Sequence, residues 1–95
     1  MWYNVAMKIL IDADGCPVVD LTLQAAAEHG LEAILFCDTS HEFKEKNARV
    51  VTVDKGSDSA DFALIRQVKP GDIVVTQDYG LAAMVLAKRG SPITQ

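Results

Sequence analysis

Four short apolar runs recur along the chain: Lys8 to Ala13 (KILIDA), Glu32 to Cys37 (EAILFC), Arg49 to Val53 (RVVTV) and Asp72 to Thr76 (DIVVT). Each is short and rich in isoleucine, leucine or valine, as strands covered on both faces are. Helical signals lie between them. Pro17 suits a first helical position with Cys16 as N-cap, and LTLQAAAEH leads to a stop at Gly30. GSDSADFALIRQV opens with capping residues and sets Phe62, Ile65 and Val68 at helical spacing, until Pro70-Gly71 ends it. Tyr79 to Arg89 (YGLAAMVLAKR) forms the last helix, its cations near the end the macrodipole favours and Gly90 closing it. The polar stretch from Asp38 to Ala48 has room for a helical turn.

Strands that alternate with helices pair in parallel through right-handed crossovers, and helices must cover both faces. The expected architecture is α/β: three α/β/α layers with a mostly parallel sheet in the order 3-2-1-4. Its 95 residues, 49% hydrophobic, suit a single domain over 7–95, with 1–6 an N-terminal extension because the strand pattern begins only at Met7. No apolar run approaches the ~20 residues that span a bilayer, and the N-terminus lacks the flanks of a signal peptide, so a cytoplasmic protein with no membrane partner is expected. Cys16 and Cys37 have no CxxC partner, which points to reduced thiols and not to zinc. The net charge of −4 argues against a broad basic surface for nucleic acid. It is compatible with acids gathered around a cation, which reverses the local sign.

LIDADGCP supplies the first such acids. Asp12 and Asp14 stand one residue apart at the end of strand one, where like charges cost free energy unless a cation or hydrogen-bond donors compensate. Asp78 follows strand four in VTQDYG, and Asp58 and Asp61 share one face of the second helix's first turn. With strand one between strands two and four, the C-terminal ends of strands one and four flank a topological switch point, where open α/β sheets bind ligands. Each acid alone has an ordinary role as a cap or turn former. Converging from three segments, the five suit a hard divalent cation, Mg2+ or Mn2+, which takes oxygen ligands.

IDADGCPV, GSDSADFALI and PGDIVVTQDYGLAAMVLAKRG together resemble the uncharacterised bacterial YaiI/YqxD family, whose members look like PIN domains. That family usually reads D-A-D-A-C-P at the first signature, where this chain has Gly15. The resemblance implies a magnesium- or manganese-dependent ribonuclease in which Asp12, Asp61 and Asp78 are the catalytic acids and Asp14 and Asp58 further metal ligands. For the acid that PIN domains take from an early-to-middle helix, Glu42 and Glu45 are the two candidates. The family continues past this chain's end, so SPITQ is expected to open a last strand.

On this reading a cation held by Asp12, Asp61 and Asp78 would activate water against a phosphodiester of RNA. Thr76 and Ser57 are supporting hydroxyls, able to bond a phosphate oxygen or a carboxylate. Lys44, Lys46, Arg49 and Lys55 form the main basic concentration and are candidate backbone contacts, although interspersed acids favour a solvated face. The D-A-D-G signature also resembles haloacid dehalogenases, which would make Asp12 the nucleophile of a phosphatase and Asp14 its general acid. A non-catalytic binding or regulatory module is the third reading. Cys16 gains some thiolate character at a helix N-terminus, against an ordinary capping or packing role. Cys37 is expected to be a buried strand residue, His29 a partner of the first helix's C-terminal dipole, and His41 a residue of the polar connection. An open-edged sheet in so short a chain also raises the expectation of a homodimer.

Overall fold

The computed structural model describes residues 7–13, 19–38, 49–53 and 60–94. Within them run β1 (Lys8–Asp12), α1 (Val19–Glu28), β2 (Glu32–Asp38), β3 (Arg49–Val53), α2 (Ala60–Gln67), β4 (Ile73–Val75), α3 (Tyr79–Ala87) and β5 (Ser91–Ile93). The strands form one sheet in the order β3-β2-β1-β4-β5, with every pairing parallel. The order 3-2-1-4 is thus present and is extended by a fifth strand drawn from SPITQ. An edge position tolerates Pro92, because one side of the strand needs no ladder donor.

Successive side chains of a strand point to opposite faces, so the apolar run of β1 feeds two cores. Ile9 and Ile11 pack with Ala33, Leu35 and Cys37 of β2 beneath Val19, Leu23 and Ala26 of α1. Leu10 packs with Ile34, Phe36 and Val74 beneath Ala60, Ala63 and Leu64 of α2 and Leu81 and Val85 of α3. Among the described residues one helix therefore covers one face and two helices the other. Each fully buried Leu, Ile or Phe contributes roughly 1.5–3 kcal/mol, which is why the two central strands are the most apolar.

The inward face of α2 differs from the expected one. Ala60, Ala63, Leu64 and Val68 are buried, whereas Phe62 is 53% exposed. Residues two apart lie on nearly opposite sides of a helix, so burying Phe62 would expel Leu64. The small alanines also let α2 lie close to the sheet.

Helix α1 stops as expected: Gly30 is left-handed at φ 68, and Leu31 N donates to Ala26 O at 2.9 Å. Pro70 and Gly71, the latter at φ 91, form the centre of a type II turn closed by Asp72 N donating to Lys69 O at 3.0 Å. The end of α3 departs from expectation. The left-handed residue is Arg89, at φ 66, and Gly90 follows it, donating to Val85 O at 2.9 Å. Gly90 is required for space, since a Cβ there would lie 2.8 Å from Val85 Cγ1, 3.1 Å from Val68 Cγ1 and 3.2 Å from Asp72 O. The cations also fall past the last turn, because α3 ends at Ala87; Lys88 Nζ donates instead to Ile65 O of α2 at 2.7 Å.

Two opposite effects are expected at this corner. Gly90→Ala should lower stability by about 1–3 kcal/mol through overpacking. Arg89→Gly should raise it by about 0.5 kcal/mol, the relief of a left-handed side chain less the added backbone entropy. Urea unfolding of the two variants checks both signs.

Candidate functional site

Asp12 ends β1 beside Phe36 of β2 and is only 8% exposed. Thr76, just past β4 and buried, donates its hydroxyl to Asp12 Oδ2 at 2.9 Å. The same hydroxyl oxygen accepts from Asp78 N at 3.0 Å. One side chain thus fixes the Asp12 carboxylate and the turn that carries Asp78.

Asp78 is the N-cap of α3, extended at φ −89 and ψ 110, and its Oδ1 accepts from Gly80 N at 2.9 Å and Leu81 N at 3.2 Å. This is the helix-capping role open to any aspartate before a helix, and it engages one of the two carboxylate oxygens. Asp61 stands in the first turn of α2 and is half-buried. Burial raises its pKa above the ordinary carboxylate value, and the charges of Asp12 and Asp78 and a hydrogen bond with the Asp78 side chain raise it further. Asp12 of β1 and Asp78 at the start of α3 therefore both act electrostatically on Asp61 of α2.

Among the described residues no group of three His, Cys, Asp or Glu is arranged to hold a metal ion. One oxygen of Asp12 is turned to Thr76 and one of Asp78 to the amides of α3. Carboxylate oxygens are the donors that hard cations take, and magnesium commonly uses one or two carboxylates and keeps several waters.

Asp14, Cys16, Glu42, Glu45, Lys44, Lys46, Lys55, Ser57, Asp58 and His41 lie outside the described residues. Arg49 is exposed at the start of edge strand β3, level with Ile34 and Leu10. It stands two strands from Asp12, roughly 10 Å sideways, and two residues back toward the N-terminal end of the sheet. Cys37 is a buried reduced thiol on β2, and His29 donates from Nδ1 to Ala25 O at 2.8 Å at the end of α1.

Sequence reasoning missed Asp72. Its carboxylate is buried and pairs with Lys8 Nζ at 2.6 Å, while Oδ2 also accepts from Lys69 N at 2.9 Å. It lies at the N-terminal end of the sheet, away from the other acids. The signal was present: Lys8 and Asp72 each precede a run, Ile9 and Ile73, that pairs in register.

Residues 10–95 match the profile described as "Uncharacterized BCR, YaiI/YqxD family". The chain belongs to the YaiI/YqxD family. It is 55% identical over 89 residues to a UPF0178 protein of Exiguobacterium sibiricum, a match covering 94% of this chain and 60% of that relative. A UPF0178 protein of Lachnoclostridium phytofermentans is 51% identical over 87 residues, 92% of this chain and 58% of the relative. The chain thus spans about three-fifths of the length of these family members. No solved structure matches it. The segment matched to the YaiI/YqxD family includes Asp12, Asp61, Thr76 and Asp78.

Removing the Thr76 hydroxyl should leave a buried carboxylate oxygen and an amide each short of a partner. Thr76→Val is expected to lose about 1–3 kcal/mol of stability, and Thr76→Ser to retain most of it. Thermal melts of the pair test this.

Proposed function

We propose that this family member is, or forms part of, a divalent-cation-dependent phosphodiesterase acting on RNA. The observation that carries the reading is that Thr76 joins Asp12 to the turn of Asp78, and that both carboxylates act on Asp61 of α2, beside the switch point between β1 and β4. The strand order, consistent with a PIN-like sheet, favours the same reading.

Asp12 and Asp61 would hold the ion, with the second oxygen of Asp78 beside them. Magnesium or manganese, when bound there, supplies an acidified water and offsets charge on the phosphodiester. Thr76 fixes the orientation of the Asp12 carboxylate, as groups that bond a metal ligand commonly do. Asp78 joins this chemistry to the fold, because the oxygen that caps α3 holds its carboxylate in place.

The test is incubation of labelled single-stranded RNA with the chain and millimolar manganese, with p-nitrophenyl phosphate in a parallel reaction. Manganese-dependent RNA cleavage supports the proposal. Phosphate release alone would favour a phosphatase with Asp12 as nucleophile, and neither product would favour a binding module.

A further inference from the structure

We infer that the open groove on the α1 face of the sheet is the seat of an amphipathic helix, of the kind encoded in the part of the longer family members that lies outside the match to this chain. The inference is independent of the acidic site, which lies at the strand ends.

A five-stranded parallel sheet is about 19 Å wide at ~4.8 Å per strand, and a helix with its side chains covers about 10 Å. Two helices, α2 and α3, cover one face. Among the described residues the other carries α1, which packs over β1 and β2. That face, among the described residues, is short by one helix's width, although all-parallel sheets have both faces covered.

The shortfall is visible as a groove of about 370 Å³ between α1 and the strands β4 and β5. Leu21 and Ala25 of α1 form one wall; Ile73, Val75 and Ile93 form the floor and far side. Leu21 is 66% exposed and Ile93 51%, large apolar side chains facing water across it. Among the described residues Thr22 is the only polar one of the lining. A metabolite site would place several polar groups in such a cleft to orient its ligand. An apolar stripe on a helix needs none.

The length of the relatives selects the occupant. The match covers only 60% of the Exiguobacterium sibiricum protein and 58% of that of Lachnoclostridium phytofermentans, so about two-fifths of each lies outside it. A helix from that portion would close the groove within one polypeptide. A two-fold pair, in which the same face of each copy meets the other, is the competing occupant that the experiment separates.

The experiment titrates the isotopically labelled 95-residue chain with a recombinant polypeptide covering the part of the Exiguobacterium sibiricum relative outside the matched 89 residues. Methyl resonances of Leu21, Ile73, Val75 and Ile93 are expected to shift saturably, and those of Met84 and Leu86, exposed on α3, to stay in place. Leu21→Asp, at an exposed position that leaves the fold intact, should weaken binding at least about tenfold, and Leu86→Asp should not. No shifts, or shifts confined to α3, would overturn the inference. So would self-association of the chain alone that Leu21→Asp abolishes, since a second copy would then be the occupant.

Discussion

Replacing Asp72 with alanine is expected to destabilise the fold by about 3–5 kcal/mol, because it strands a partly buried lysine and removes an acceptor at a fully packed position. Asp72 is 2% exposed and its carboxylate gathers Lys8 Nζ, Lys8 N and Lys69 N, so it ties the start of β1 to the turn that starts β4. Against a total stability of ~5–15 kcal/mol for a domain of this size, the loss is a large fraction. Asp72→Asn keeps an acceptor but not the ion pair and should fall between the alanine variant and the wild type. Lys8→Met should be the mildest, since its apolar stem is preserved and Asp72 keeps two amide donors. Urea unfolding orders the three, and an Asp72→Ala loss below about 1 kcal/mol would contradict the account of this corner.

Asp12→Asn is expected to lower manganese-dependent RNA cleavage by roughly 10²–10³-fold, the equivalent of a few kcal/mol of electrostatic stabilisation. The substitution keeps side-chain size and an oxygen that can accept from Thr76, so the fold should persist while one negative charge is lost. Far-ultraviolet circular dichroism beside initial rates separates the two effects. Activity within about threefold of wild type would remove Asp12 from the proposed chemistry.

The fold was legible where the apolar pattern had one solution. KILIDA and EAILFC are apolar on both faces, and only central strands of a covered parallel sheet use such runs; the structure puts them there as β1 and β2. Residue choice within α2 was not legible, because Phe62 and Leu64 both fit a helical stripe and only the flat surface of Leu10, Ile34 and Phe36 selects the alanine-lined face. At Gly90, composition marked a helix end, but the need is for space against Val68 and Val85, a tertiary contact no local rule reports. Topology is what relates Asp12 to Asp78, since the strand order sets the ends of β1 and β4 side by side. The N-cap role of Asp78 comes from the structure; the sequence marked it as a loop residue before a helix. The charge of Asp72 escaped notice because a carboxylate before a strand usually faces water.

The central claim is that Asp12, Asp61 and Asp78 are kept together for a cation, and thermal melting of the wild type and Asp61→Asn across pH, with and without manganese, tests it most directly. Asp61 has a raised pKa in the folded state, so the folded chain holds its proton more tightly than the unfolded chain. That contribution is fully present below the unfolded value and is lost as pH rises through the folded one. At neutral pH, Asp61→Asn should therefore leave metal-free stability unchanged or raise it. Manganese should stabilise the wild type, by about 2.7 kcal/mol at 100 times its Kd, with the rise fading on acidification as protons compete. The variant should show little or no rise. A wild type whose melting temperature does not move at millimolar manganese and pH 7–8, or an Asp61→Asn variant that gains as much as the wild type, would contradict the claim.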